Sequence, residues 1–405
     1  MKIVGLITEY NPFHNGHLYH IRESLRITGA DAALVVMSGD YVQRGTPAIM
    51  PKRLRTEMAL YCGAGAVLEL PVCYATGSAE FFALGAISLL DSLGIVDSVC
   101  FGSECSDLPL LQKIAGLLVD EPEQYREILR HELKLGKSFP AARQTAVIFC
   151  TGDPRCADIL KDPNNILGIE YLKALKKCGS SIRPYTIRRK GAGYHSSQLD
   201  ELYSSASAIR SLLAYSSSSI HTEFAGDDST ELSFSDILNE LGNQVPKKCL
   251  DLLSDFHKIQ YPVYQNDFSL ILKYKLLNKH PESLVRYMDV SPELAARICT
   301  SLNDFFNYKQ FAGLLKTKEL TQTRINRALL HIMLGIKKDS VSEYMNSGYN
   351  FYARLLGFRK DCSQILTEIS KKSSLPLLTK LAESRELCEL GQRMLRDDIL
   401  ASNLY

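Results

Sequence analysis

Gly5-Leu6-Ile7-Thr8-Glu9-Tyr10-Asn11-Pro12-Phe13-His14-Asn15-Gly16-His17-Leu18 decides the fold. Ile3 to Ile7 is apolar and β-branched, with the length of a buried strand. Asn11-Pro12 breaks it, and Asn15 or Gly16 opens a helix whose apolar face is Leu18, Ile21 and Leu25. The order is strand, turn, helix. It sets two imidazoles, His14 and His17, beside free backbone N–H groups at the positive end of a helix dipole, which is a place for phosphate. Phosphoryl and nucleotidyl transfer need positioning and hydrogen-bond donors more than covalent chemistry, and neutral imidazoles supply such donors. Two histidines three apart also suit a helix cap or a metal. The preceding strand and the interposed Gly16 favour a nucleotide.

Outward from this turn the same rhythm repeats. Asp31 to Gly39 reads as a second buried strand, and its polar exit, Asp40-Tyr41-Val42-Gln43-Arg44-Gly45-Thr46-Pro47, falls at the ligand edge of an open α/β sheet. Asp40 and Arg44, with Gln43, are therefore candidate substrate-site residues. Pro51 to Ala64 reads as a helix with proline at its first position, and Ala66 to Leu70 as a third strand. Lys52, Arg53 and Arg55 oppose the dipole at that helix start, so they either bind an anion or face solvent. Ser78 to Leu93 is an amphipathic helix and Ser98 to Phe101 a fourth strand, followed by Gly102, where a ribose or purine can lie against the backbone.

Residues 107–180 read as a mainly helical insertion packed on the sheet. Within them, Pro163-Asn164-Asn165-Ile166-Leu167-Gly168 opens a helix running to Lys177, with Asn164 or Asn165 either capping it or reading an adenine or ribose. Ile182 to Arg189 alternates like a strand and leads into Arg188-Arg189-Lys190-Gly191-Ala192-Gly193-Tyr194-His195, a positive loop suited to a triphosphate. Ser204-Ser205-Ala206-Ser207-Ala208-Ile209-Arg210 then starts another helix with hydroxyls and an arginine at its head.

Ser216 to Thr230 is small and polar, the best linker in the chain, and after it the strand–helix alternation stops. The expected fold is α/β: a Rossmann-like parallel sheet over residues 1–220 with a helical insertion, followed by an all-α C-terminal domain over 231–405. In that second half Arg324, Arg327 and His331 fall at helical spacings on one face. Tyr352 to Lys360 adds Arg354, Arg359 and Lys360 with aromatics interleaved. Basic stripes with aromatics suit RNA, although a basic helix face is often only solvated.

Composition bounds the function. A chain of 405 residues, 45% hydrophobic and 23% charged, holds a sizeable core and two or three domains. It has no run of 18 apolar residues and no export signal ahead of the first strand, so a cytoplasmic protein away from the membrane is expected. Eleven cysteines, an odd number without Cys-x-x-Cys spacing, read as reduced thiols rather than disulfides or zinc ligands. A net charge of +2 neither demands nor excludes nucleic acid. No carboxylate cluster dedicated to a metal, no Ser-His-Asp or Cys-His set, and no stable protein partner is evident.

His14-Asn15-Gly16-His17 resembles the signature of the nucleotidylyltransferase superfamily. Ser204 to Arg210 resembles its second motif, Ile-Ser-Ser-Thr-x-Ile-Arg, with Ser207 at the threonine and Ala206 in place of a serine. Several further stretches widen the likeness: Glu-Tyr-Asn-Pro-Phe-His-Asn-Gly-His, Ser-Gly-Asp-Tyr-Val-Gln-Arg-Gly, Phe-Gly-Ser-Glu, Pro-Asn-Asn-Ile-Leu-Gly, Arg-Arg-Lys-Gly-Ala-Gly-Tyr-His and Arg-Ala-Leu-Leu-His. Together they resemble the bacterial tRNA(Met) cytidine acetate ligase family over nearly the whole chain. The resemblance implies that acetate and ATP condense to acetyl-adenylate and pyrophosphate, and that the acetyl group passes to N4 of cytidine 34 in elongator tRNA(Met). It implies catalytic roles for His14, His17 and Arg210. It implies ATP contacts from Ile7, Thr8, Glu9, Tyr10, Asn11, Gly16, His20, Gly102, Asn165, Arg188, Arg189, Ser205 and Ser207, with Mg2+ on the triphosphate. In that resemblance Gly16 lets the adenine approach the backbone. Asp40 and Arg44 would serve the substrate, and Arg324, Arg327, Arg354, Arg359 and Lys360 the tRNA. Two rival readings are an adenylyltransferase acting on a phosphorylated metabolite, whose chains are about half this length, and a non-catalytic RNA-binding protein that retains an ATP fold.

Overall fold

The computed structural model describes residues 1–189, 205–215 and 233–405. The expected linker Ser216 to Thr230 and the loop from Lys190 to Ser204 lie outside the described residues. Seven strands form the main sheet: β1 (Ile3–Thr8), β2 (Ala32–Ser38), β5 (Ala66–Leu70), β6 (Ser98–Ser103), β7 (Arg183–Arg188), β8 (Ala353–Phe358) and β9 (Leu377–Leu378). A separate hairpin pairs β3 (Tyr41–Val42) with β4 (Thr46–Pro47). The order across the main sheet is β7-β6-β1-β2-β5-β8-β9.

The first five strands of that order are parallel, in register from Ile3 opposite Ala32 to Thr8 opposite Met37. Successive strands step from β1 through β2 to β5 on one side, whereas β6 and β7 lie on the other. The chain therefore reverses direction at β1, and a crevice opens beyond the C-terminal ends of β1 and β6, where open α/β sheets bind ligands.

Both faces of the sheet are covered, which is why its strands are apolar almost throughout. On one face Ile3, Leu34, Val36 and Leu68 meet the helix Ala79–Ser92; Pro163–Lys177 packs on that helix, and Leu108–Asp120 packs on Pro163–Lys177 in turn. On the other, Val4, Leu6, Ala33, Val35 and Val67 meet α1 (Asn15–Thr28) and α2 (Lys52–Tyr61), and beyond them Ile237 and Leu253 from the second half of the chain. Each core thus draws on residues from both halves.

The expectation of an all-helical second half needs one correction. Most of it is helical, including α3 (Ser269–Leu277), α4 (Gln322–Leu334) and α5 (Glu389–Leu404). The stretch from Ala353 to Phe358, however, is a strand that pairs antiparallel with β5, and β9 pairs parallel with it. Residues 353–358 therefore belong to the sheet of the first half. Among the described residues no helix is long and apolar enough to cross a membrane. All eleven cysteines are free thiols.

Candidate active site

His14 is the N-cap of α1, with extended φ −147° and ψ 175°. Its Nδ1 accepts the Gly16 N–H at 3.0 Å, and the Nδ1 of His17 accepts the His14 N–H at 3.3 Å. Each imidazole is thereby committed as an acceptor at Nδ1, so the proton of each neutral ring sits on Nε2. The two ring centroids lie 3.8 Å apart, the rings tilted by 36°, and both line one cleft. Burial, with Arg189 and Arg210 nearby, takes the His14 pKa down to about 3. Burial and then His14 hold His17 well below its ordinary value. The pair is neutral at physiological pH, and it offers two N–H donors without the cost of two buried charges.

The sequence His-x-Gly-His now has a local cause. A Cβ on Gly16 would stand 2.8 Å from His14 Cε1 and 3.0 Å from Nδ1, so the capping ring can fold over this residue only if it is glycine. Tyr10 walls the pair from behind, its ring edge-on to His17 at 4.9 Å, with Phe13 at 5.5 Å. Tyr10 itself sits at φ 48°, a left-handed conformation that costs a bulky residue roughly 1–2 kcal/mol. His20, one turn on, donates from Nε2 to the Cys100 carbonyl at 3.1 Å, and burial lowers its pKa to about 4. That proton ties α1 to β6, so His20 turns only Nδ1, an acceptor, towards other partners.

The turn is held on three sides. Glu9 accepts the Gln43 N–H at 2.9 Å and Asn11 Oδ1 accepts the Ile49 N–H at 2.8 Å. Arg210, on the helix Ala206–Tyr215, donates to the Asn11 carbonyl at 2.6 Å and to Ser207 Oγ at 3.1 Å. Ser205 Oγ accepts the Ala208 N–H and so caps that helix. Ile7, Thr8, Glu9, Tyr10, Asn11 and Gly16 all line the cleft, as do Gly102, Arg44, Arg189, Ser205, Ser207 and Arg210.

Three expected members stand elsewhere. Asn165 is only 1% exposed; its Oδ1 accepts the Glu104 and Cys105 N–H groups at 2.9 and 3.1 Å, while Glu104 in return accepts its N–H at 2.9 Å. It clasps the loop after β6 to the helix Pro163–Lys177, whose N-cap position is Asp162, without a side-chain capping bond, and whose first free N–H groups, those of Asn164 and Asn165, are taken by Glu104. Asn164 takes the place at the cleft, with its Oδ1 receiving Arg189 Nη1 at 3.3 Å. Arg188 is exposed and off the cleft wall, because neighbours on an extended chain point to opposite faces. Asp40 is buried away from the cleft wall, accepting the Lys52 N–H at 2.8 Å and the Ser402 hydroxyl at 3.1 Å.

The cations heading α2 do not all face solvent: only Arg53 is exposed. Lys52 Nζ meets Glu69 and Ser402 at 2.5 Å each. Arg55 is fully buried, and donates to the carbonyls of Met50 at 3.0 Å, Glu9 at 2.6 Å, Ser38 at 3.1 Å and Gly39. It gathers the C-terminal ends of β1 and β2 beneath the cleft. The only sequence signal for it is its place on the apolar face of α2, four residues before Ala59.

The basic stripe expected for RNA also comes apart. Arg327 is paired with Asp289 at 2.8 Å with both side chains mostly buried, and His331 is fully buried between the carbonyls of Met288 and Thr76. Arg354 pairs with buried Glu69 at 3.0 Å, and Arg359 pairs with Asp361. Arg324 is half-buried at the head of α4, and Lys360 is exposed. The carboxylates that neutralise Arg327 and Arg354 are distant in sequence, and periodicity carries no sign of them; only Asp361, two residues from Arg359, is local. Among the described residues no group of three His, Cys, Asp or Glu side chains is placed to hold a metal ion.

A cleft at the reversal point of a parallel sheet, headed by two neutral imidazoles at a helix N-terminus, is the arrangement of a nucleotidyl transferase. The family model described as HIGH Nucleotidyl Transferase matches residues 1–405, and the chain belongs to that family. Its relatives are more particular. The tRNA(Met) cytidine acetate ligase of Caldanaerobacter subterraneus subsp. tengcongensis is 43% identical over 100% of this chain and 95% of its own. That of Acetivibrio thermocellus is 41% identical over 100% and 94%. The crystal structure of Thermotoga maritima TmcAL (apo, form I) superposes with a TM-score of 0.90 at 32% identity, covering 100% of this chain and 94% of that one. Its form II, bound with alpha-thio ATP, gives 0.88 at the same identity and coverage.

Proposed function

We propose that this protein is an ATP-dependent ligase that acetylates N4 of the wobble cytidine 34 in elongator tRNA(Met). The observation that carries the reading is the His14–His17 pair, whose two Nε2–H donors are fixed by backbone hydrogen bonds at the ligand edge of the sheet, in a chain about 40% identical to ligases of that name from end to end. ATP is the first substrate and brings Mg2+ on its phosphates. Acetate is already an anion at pH 7, so its carboxylate attacks the α-phosphorus without a general base. One P–O bond forms, the bond to pyrophosphate breaks, and acetyl-adenylate results.

In this step the neutral imidazoles donate to phosphate oxygens as charge gathers there. Preorganised donors of this kind are each worth on the order of 10²–10³ in rate. Arg210, held by the Asn11 carbonyl and Ser207, adds fixed positive charge, and Arg44 and Arg189 stand on the same wall. In the second step the N4 amine of cytidine 34, taken out of its stack, attacks the acetyl carbon. The new C–N bond forms, AMP departs with the bond it held, and the amine gives up a proton. With tRNA as acceptor the enzyme works in the cytoplasm.

The test is pyrophosphate release from ATP with acetate and bulk bacterial tRNA each present or omitted, followed by mass spectrometry of the tRNA nucleosides. Acetate-dependent release and new N4-acetylcytidine are expected. Release that ignores acetate and requires a phosphorylated metabolite would overturn the reading in favour of a small-molecule adenylyltransferase.

A further inference from the structure

Of the residues expected to hold RNA, Arg327 and Arg354 are spent on internal ion pairs, so other surfaces suited to a polyanionic substrate come into view. The helix α3 presents Leu270, Tyr274 and Leu277 on one exposed stripe, with Tyr274 71% accessible. Beside it lies the turn at Phe305-Phe306. Phe305 is buried, whereas Phe306 is 83% accessible, the most exposed large apolar side chain among the described residues. The turn is well held. Lys273 of α3 donates to the Phe305 carbonyl at 3.2 Å and lies 5.6 Å over the Phe305 ring; Gln310 Oε1 accepts the Phe306 N–H at 3.1 Å; Ser269 Oγ accepts the Tyr308 N–H at 3.0 Å. An aromatic ring fixed in water by its backbone is preorganised for a partner and loses little entropy on meeting one.

The charge around it selects the partner. From Ser269 to His280 the chain carries Lys273, Lys275 and Lys279 and no carboxylate; beside Phe306, exposed Lys309 follows by three residues and exposed Asp304 precedes by two, so the face as a whole is cationic. Two copies of such a face would set lysine against lysine, whereas a polyanion with exposed bases satisfies both the charge and the rings. The face is also joined to the cleft: Phe268, which precedes α3, packs 5.8 Å from Tyr41, at the root of the loop whose Gln43 and Arg44 line the cleft wall.

We propose that the face formed by Tyr274, Phe306 and α3 is a docking surface for the tRNA substrate, with the two rings stacking on unpaired bases and exposed Lys275 meeting a phosphate. The proposal rests on the ligase reading above. Base–aromatic stacking makes each ring worth about fivefold or more in affinity, and each phosphate contact adds to the salt dependence of binding.

The experiment measures tRNA affinity and the KM for tRNA for the full chain and for Tyr274→Ala, Phe306→Ala and the double variant. Acetate-dependent pyrophosphate release without tRNA and the thermal midpoint are followed in parallel. Both rings are exposed, so the fold and the first step should be unchanged, while tRNA affinity falls at least tenfold in the double variant and Tyr274→Trp restores it. Lys275→Gln should flatten the dependence of affinity on salt. Wild-type tRNA affinity in the double variant overturns the proposal. So does a wild-type dimer that the variants dissociate without change in tRNA binding, since the face would then belong to a second copy. Absence of acetate-dependent pyrophosphate release in the wild-type enzyme is a separate failure, that of the ligase reading itself.

Discussion

Replacing Gly16 with alanine separates the two things a glycine can do at a helix start. Gly16 is in helical conformation near the head of α1, where alanine is the better residue by up to about 1 kcal/mol. The added methyl would nevertheless fall 2.8 Å from His14 Cε1. Ordinary carbon contact begins near 3.4 Å, so the ring must withdraw by about 0.6 Å or more. The 3.0 Å bond from the Gly16 N–H to Nδ1 is then stretched or lost, and with it the lock on the tautomer. A displacement approaching 1 Å in a reacting geometry costs on the order of 10²-fold. Gly16→Ala should therefore melt close to the wild-type temperature, the gain in helix propensity offsetting the lost cap, yet release acetate-dependent pyrophosphate some 10- to 100-fold more slowly at saturating ATP. Circular dichroism and a coupled pyrophosphate assay on one preparation decide it. Turnover within about threefold of wild type, in a protein of unchanged stability, would refute both the steric argument and the assignment of His14 as a donor.

Other perturbations test other parts of the arrangement. Arg55→Met strips the donor from four buried carbonyls and should cost about 3–5 kcal/mol in urea unfolding, and a loss under 1 kcal/mol would contradict its role. Arg327→Ala should act on stability, by about 1–3 kcal/mol through stranded Asp289, and leave tRNA affinity unchanged once the fold is saturated at low temperature. A selective loss of tRNA binding would restore Arg327 to the RNA-facing set. Between pH 6.5 and about 3 the unfolded chain protonates His14 while the folded chain does not, so this group's contribution to stability is present above 6.5 and is lost as pH falls. Asp397 and Asp398, raised by burial to about 6 and about 7, act in the opposite sense over the same range. The comparison is therefore wild type against His14→Gln: acidification from pH 6.5 to 5 should cost the wild type about 2 kcal/mol more. Equal losses would show that His14 is not held neutral.

The α/β half was legible because its signals are local. Ile3 to Ile7, Asp31 to Gly39 and Ala66 to Leu70 are apolar runs of strand length, each followed by a helix with its own start. His14 and His17 share one turn, so spacing alone brings them together. The misses share a cause as well. Ala353 to Phe358 becomes a strand only because β5 offers it an edge nearly three hundred residues back, and nothing in its own composition announces that partner. Arg55, Arg327 and Arg354 look like surface charge until the carbonyls and carboxylates that they meet are in place, and Glu69 or Asp289 cannot be assigned to them by spacing. Asn165 and Arg188 lie at the expected edge of the sheet, but it is their neighbours Asn164 and Arg189 that line the cleft, a difference that side-chain direction decides and sequence spacing does not.

The late arrival of β8 has a consequence for how the molecule is made. The outer edge of β5 is covered by a strand at residues 353–358, and the Val72 N–H at the end of β5 is satisfied by Asp398, 326 residues further along. At roughly 5–20 residues per second, a ribosome takes on the order of 16–65 s to supply that partner. Until residues 353–358 emerge, for most of that interval, Ala-Val-Leu-Glu-Leu stands as an open, apolar strand edge able to pair with another chain. The parallel half of the sheet, with its two histidines, can be laid down early, but it waits on the ribosome for its cover, and growing chains must be kept apart until the last strands and helix have emerged.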